Sequence, residues 1–183
     1  MAARHQPDPA HLWHYSEDPA IERFVPHVPV TNPDQPPMVW TIDDEHAPLL
    51  WFPRDCPRIT FWTEDGTPAD RLGPTTSSRV HAMEPAWVDR MRECRLFVYR
   101  FAVDGFAPWP DADGYWVSHE ERAALEVTPV GDLFERHRAA GIELRFLEDL
   151  RPLRDAVIES GYRFSMTRMR NISPVRDGGS GTG

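Results

Sequence analysis

Three short groups of residues carry side chains whose types and spacing could do chemistry. The first is His14-Tyr15-Ser16. Alternate side chains of an extended strand share a face, so the imidazole of His14 and the hydroxyl of Ser16 would stand side by side. Such a pair can bind a ribose diol or hold a phosphate. The structural alternative is a capping serine beside a hydrogen-bonded histidine, and the sequence leaves both open.

The second group joins an aromatic residue to arginines. Trp40 in a predicted strand could offer a stacking surface, and Arg54 and Arg58 lie in Pro-Arg-Asp-Cys-Pro-Arg. Guanidinium groups suit bidentate binding of an anion such as a diphosphate. They would also favour the thiolate of Cys56 as a nucleophile, but Asp55 opposes this and cysteines are usually buried. Alternatively, the arginines pair with neighbours to hold a proline-rich turn.

The third group is an aromatic strand followed by acids, Gly-Tyr-Trp-Val-Ser-His-Glu-Glu. Trp116 and Glu120 are four residues apart, so they share a face if the strand continues that far. A carboxylate would then face a bound ring. The alternative is a solvated charge cluster that begins a turn.

The eight histidines permit a metal hypothesis as well. No H-x-x-x-H or C-x-x-C pair is present, so His14, His46, His81 and Glu84 would have to be brought together by the fold.

Composition excludes several classes of function. All 20 basic residues are arginine, which removes Schiff-base lysines and the phosphate-loop lysine. A net charge of -9 argues against a nucleic-acid partner or an anionic membrane surface. Two cysteines are too few for a disulfide framework, and no apolar run is long enough to cross a bilayer. We expect a cytoplasmic protein whose partner is a nucleotide or another small anionic ligand.

These residues would be positioned by an alternation of short strands and helices. The pattern predicts one α+β domain at 11–172 with a mixed, mostly antiparallel sheet, between flexible ends at 1–10 and 173–183. Strands are predicted at 11–15, 38–42, 58–63, 79–83, 96–103, 114–118, 124–129, 142–147 and 163–170. Helices are predicted at 16–24, from 43–45 onward, and at 85–93, 130–140 and 150–160.

Four segments together resemble an uncharacterised bacterial domain family over about residues 11–171. They are Leu-Trp-His-Tyr-Ser-Glu-Asp-Pro at 12–19, Val-Trp-Thr-Ile-Asp-Asp-Glu-His at 39–46, Phe-Pro-Arg-Asp-Cys-Pro-Arg at 52–58, and Gly-Tyr-Trp-Val-Ser at 114–118. The order of these motifs also resembles the ADP-ribosyltransferase fold. That resemblance implies NAD as substrate, with His14 and Ser16 on the ribose, Trp40 near the nicotinamide and Glu120 as the late glutamate.

The leading hypothesis is therefore a small enzyme that binds NAD and transfers or cleaves at the nicotinamide riboside bond. His14 and Glu120 would be its catalytic residues, and Ser16, Trp40, Arg54, Arg58 and Trp116 would bind the nucleotide. Two alternatives stay open: a non-catalytic module for a small ligand or protein partner, and a histidine-based metalloenzyme.

Overall fold

A computed structural model describes residues 9–28 and 33–174, which form an α+β structure with two mostly antiparallel sheets. Its strands are β1 Leu12–Ser16, β2 Val39–Ile42, β3 Arg58–Trp62, β4 Arg79–Met83, β5 Phe97–Phe101, β6 Ala107–Pro108, β7 Tyr115–Ser118, β8 Glu126–Pro129, β9 Glu143–Phe146 and β10 Arg163–Thr167. Its α-helices are α1 Val88–Glu93, α2 Leu133–Ala139 and α3 Arg151–Ser160. The predicted α+β class is confirmed. The predicted flexible ends lie almost entirely outside the described residues.

The described residues divide into two compact units. The first contains the chain up to Phe52 together with Cys94–Gly131, and the second contains Pro53–Glu93 and the chain from Asp132 onward. Each unit therefore contains one complete sheet, and each is built from two separate stretches of sequence. None of the described helices has the length and apolar character needed to cross a membrane.

The sheet of the first unit has six antiparallel strands in the order β6-β7-β2-β1-β5-β8. β1 lies inside the sheet, between β2 and β5. One face of the sheet carries a buried apolar cluster of Leu12, Phe24, Val39, Tyr99 and Phe101. Burial of such large side chains is the main stabilising contribution to this unit.

The helix predicted at 16–24 is wrong. The hydroxyl of Ser16 accepts a hydrogen bond from the Asp18 backbone N–H, and the Asp18 carboxylate accepts one from Ala20. Such contacts to the backbone two residues on favour turns over helix. Phe24 then pairs through its backbone with Arg122, which fixes the segment against the sheet.

The helix predicted from 43–45 also differs. Asp43 accepts a hydrogen bond from the backbone N–H of His46, and this turn leads into a short 3₁₀ helix at Ala47–Leu50. Pro48 at the start of that helix has no N–H and a fixed φ, which suits a first turn.

The sheet of the second unit has the order β10-β3-β4-β9, in which only the β4–β9 pair is parallel. Its apolar face packs with α3 in a cluster that includes Ile59, Phe61, Val80, Leu150 and Val157. The opposite face of β3 and β4, called the polar face below, carries most of the polar side chains of these strands, beside Trp62 and Met83. Arg58, Thr60 and His81 lie there, and all three are buried.

Candidate functional site

His14 lies at the centre of β1 and belongs to a row of side chains that crosses four strands. It is paired with Tyr99 of β5, and the Trp13–Ile42 pair places Thr41 of β2 beside it. Thr41 is in turn paired with Trp116 of β7. Opposed residues in a sheet project to the same side, so Trp116, Thr41, His14 and Tyr99 share one face.

The imidazole of His14 is held in one tautomer. Its Nδ1 is 2.9 Å from the carbonyl oxygen of Trp40, which can only accept a hydrogen bond, so Nδ1 carries the proton. When the ring is neutral, its Nε2 is an acceptor. The ring is half-buried and packs edge-on against Phe24 and Tyr99, with centroids at 4.9 and 6.5 Å. The Trp40 carbonyl and the two aromatic rings thus fix the orientation of the His14 imidazole.

Ser16 shares this face, but it is buried and its hydroxyl oxygen accepts the hydrogen bond from Asp18. Tyr99 also supports the segment after β1, since its hydroxyl donates to the Asp18 carbonyl and accepts from the Ile21 N–H. Ser16 therefore stabilises the turn that follows β1, whereas the helix that it was expected to cap is absent from this segment.

Trp40 lies on the opposite face of the sheet from His14. It neighbours Thr41 on β2 and is paired with Val117, so its indole projects away from the row. The ring packs edge-on against Trp109 and Tyr115, with centroids at 5.3 and 6.1 Å. Its buried Nε1–H has no hydrogen-bond partner among the described residues. Only the carbonyl of Trp40 therefore meets His14, and Trp116 is the indole that shares the His14 face.

Glu120 does not share a strand face with Trp116. β7 ends at Ser118, whose hydroxyl accepts a hydrogen bond from the Glu120 N–H, so the alternation stops before the glutamate. The Glu120 side chain is 78% exposed and pairs with Arg122 at 3.0 Å. Arg122 also donates to the Ser118 hydroxyl and to the Gly105 carbonyl. The acid lies on a loop, which this arginine organises.

Arg54 and Arg58 belong to the second unit and differ in their surroundings. Arg54 is exposed, whereas Arg58 is 4% exposed on the polar face of the sheet and donates to the Cys56 carbonyl. The predicted pair of arginines therefore does not form one exposed anion clamp. Cys56 is fully buried, with its thiol directed at the Pro57 carbonyl, which gives a nucleophilic role no support.

The backbone of the Arg-Asp-Cys loop is held by the last described segment. Arg168 donates to the carbonyl of Arg54, and the Asn171 side chain donates to the carbonyl of Asp55. Arg168 itself has a φ of 57°, in the left-handed region that few non-glycine residues occupy. The loop is therefore held in place by residues that lie more than a hundred positions later in the sequence.

The four residues of the metal hypothesis have separate partners. His46 donates from Nδ1 to buried Asp43 at 2.8 Å, His81 bonds to His137 at 3.0 Å, and Glu84 accepts from the Ser173 backbone and hydroxyl. In the described part of the chain, no three His, Cys, Asp or Glu side chains are placed to hold a metal ion.

Sequence reasoning missed three participants in these arrangements: Thr41, Tyr99 and His137. The alternation within β2 and β5 was a usable signal for the first two, because it placed Tyr99 on the same face as Phe97 and Phe101. No local signal joins His137 to His81, 56 positions earlier in the sequence.

A family model matches residues 13–172 of the chain. The chain belongs to the Family of unknown function (DUF6886). The expectation of an uncharacterised family is thereby confirmed, and the matched region of this DUF6886 member covers nearly all of the described residues. No curated protein and no solved structure matches the chain, so the resemblance to ADP-ribosyltransferases gains no support from comparison.

Proposed function

We propose that this DUF6886 member is an enzyme that binds NAD or a related nucleotide and breaks the bond between nicotinamide and ribose. The ADP-ribosyl group would pass to an acceptor or to water. The observation that carries the proposal is the half-buried imidazole of His14, which the Trp40 carbonyl holds in one orientation in the same row as Trp116.

An imidazole held in a fixed orientation suits this chemistry. Cleavage at the ribose passes through a transition state with positive charge on the sugar, so hydrogen bonds that orient the ribose contribute more than a strong nucleophile would. His14 would accept from a ribose hydroxyl, and Trp116, in the same row, would contact a ring of the ligand.

Glu120 is the carboxylate that we propose for the charged transition state. It lies two residues beyond β7, the strand that carries Trp116, and its exposed side chain can reorient when a ligand competes for Arg122. Its neighbour Glu121 is a matched control, because that acid is also exposed and paired with an arginine, Arg23.

The first experiment measures thermal stability and product formation with NAD, ADP-ribose and a nucleotide without ribosyl-nicotinamide. NAD should raise the unfolding midpoint by mass action and should be converted to free nicotinamide. Raised stability without conversion would favour the binding-module alternative. If no nucleotide raises the unfolding midpoint and none is converted, the proposal is overturned.

The second experiment assigns the residues. We expect His14→Asn and Glu120→Gln to lower nicotinamide release by about a hundredfold, as loss of a transition-state hydrogen bond or charge does. Glu121→Gln should leave release unchanged. Equal rates for Glu120→Gln and Glu121→Gln would remove Glu120 from the mechanism.

A further inference from the structure

Two fully buried histidines meet on the polar face of the four-stranded sheet. His81 lies on β4 and His137 lies on α2, and their rings are edge-on with centroids 5.1 Å apart. The Nδ1 of His81 is 3.0 Å from the Nε2 of His137. The contact therefore joins a helix to the sheet through one hydrogen bond between imidazoles.

The tautomer of each ring follows from the acceptors around it. His137 Nδ1 lies 2.7 Å from the carbonyl of Leu133, one turn earlier in α2, so this nitrogen carries a proton. Its Nε2 is then the acceptor, and His81 donates from Nδ1. Both rings are neutral in this arrangement.

The charged groups that act on the pair are cations. Arg58 on β3 and Arg79 on β4 act on His81, and Arg136 on α2 and Arg58 act on His137. On β9 the residue paired with His81 is Leu144, which is uncharged. Burial is the largest cause for both rings, and it lowers the pKa of His81 well below 6.5 together with the charge of His137 and then the arginines. Burial and the arginines also lower the pKa of His137 to about 4, against the hydrogen bond to the Leu133 carbonyl, which raises it.

We propose that the His81–His137 pair is an acid-sensitive latch that holds α2 on the four-stranded sheet. A proton on His137 Nε2 places N–H against N–H as long as His81 keeps its tautomer, and in either tautomer it adds a buried cation to the pair. A proton on His81 Nε2 keeps that bond but adds a buried cation beside Arg58. Either event favours release of α2, and the inference does not depend on the proposed enzymatic function.

Hydrogen exchange of the full chain, corrected for the intrinsic rate at each pH, tests the latch. A single histidine that changes its pKa from about 4 to 6.5 on opening raises the opening equilibrium about twentyfold between pH 7 and pH 5. We expect that increase at the amides of α2. The amides of α3, which packs on the apolar face of the same sheet, should change much less.

Paired substitutions separate the latch from general acid sensitivity. His81→Leu with His137→Leu replaces both hydrogen-bonding partners by apolar groups, a change that is often nearly neutral for stability. This variant should lose the acid response of α2, whereas His119→Gln, an exposed histidine of the first unit, should keep it. An acid response that survives the double substitution would overturn the latch.

Imidazole ¹⁵N shifts of the unmodified protein provide a test that does not require the double variant to fold. At pH 7 both rings should be protonated on Nδ1 alone, and this pattern should disappear at the pH where α2 loses protection. Release of α2 while both rings keep that pattern, or joint loss of protection in α2 and α3, would contradict the inference.

Discussion

The two sheets each carry a histidine at the centre of a strand, yet the two imidazoles have different surroundings. His14 in the six-stranded sheet is half-buried, bonded to a backbone carbonyl and framed by aromatic rings. His81 in the four-stranded sheet is fully buried, bonded to a second imidazole and subject to arginine charges. The same residue in the same kind of strand thus packs half-buried among aromatic rings in one sheet and links a helix to the strands in the other. The difference lies in the groups that contact each imidazole, which are a backbone carbonyl and aromatic rings at His14 and a second histidine at His81.

The comparison is tested most strongly by matched alanine substitutions. His137→Ala removes the acceptor of a buried N–H and leaves a cavity, so it should lower the free energy of unfolding by about 3–5 kcal/mol. His14→Ala, at a half-buried site with a backbone acceptor, should cost about 1–2 kcal/mol. Urea denaturation at pH 7.5 measures both. Equal losses would mean that the two histidines contribute equally to the free energy of unfolding, contrary to this comparison.

Acidification should lower the free energy of unfolding through the buried histidines of the second unit at a higher pH than through its carboxylates. Because the pKa of His137 is lowered from 6.5 to about 4 on folding, the unfolded chain binds more protons below pH 6.5, and stability falls as the pH falls through this window. The loss is about 3 kcal/mol by pH 4. The carboxylate of Glu143, whose pKa is also lowered, adds its loss only below about pH 4.5. Denaturation midpoints from pH 7.5 to 4 should lack the upper part of this decline when His81→Leu and His137→Leu are combined, because the pKa of His81 is lowered as well.

In the first unit, His46 packs so closely against Gly114 that no larger residue fits there without a shift. A Cβ on Gly114 would lie 2.2 Å from the His46 ring, and the glycine has a φ of 78°. Gly114→Ala should therefore lower the free energy of unfolding by about 3 kcal/mol through strain and overpacking. Gly131→Ala is the control, because its φ is 85° and nothing lies within 4 Å; we expect about 1 kcal/mol. A similar cost at both positions in thermal or urea unfolding would show that His46 moves aside freely.

Much of the fold was predictable from local patterns. β4 has the predicted bounds, and α2 begins directly after Asp132, whose carboxylate caps the first turn by accepting a hydrogen bond from the Glu135 N–H. Alternation within β1 and β3 shows which side chains share a face, because that information lies within five consecutive residues. The helix predicted at 16–24 was wrong because turn contacts of Ser16 and Asp18 compete with helical hydrogen bonds.

The candidate site was predictable only in part. His14 could be found from its strand, but the separation of Trp40 from it depends on the pairing of β2 with β1 and β7, and sequence alone does not give that register. The exposure of Glu120 depends on where β7 ends, and the link between His81 and His137 depends on tertiary packing. Long-range contacts of this kind leave no mark in a short window of sequence.

The interleaved order of the two units has a consequence for how the protein is made. β1 is among the first strands to be synthesised, but its partner β5 is completed only at Phe101, after β3 and β4 of the other sheet. Likewise, β3 and β4 wait for β10 and β9, which come last. A nascent chain that ends at Glu93 therefore contains β1–β4 and the beginnings of two sheets, with neither complete. Because such distant pairings slow folding, the half-built edges of both sheets are exposed together until the second half of the chain arrives.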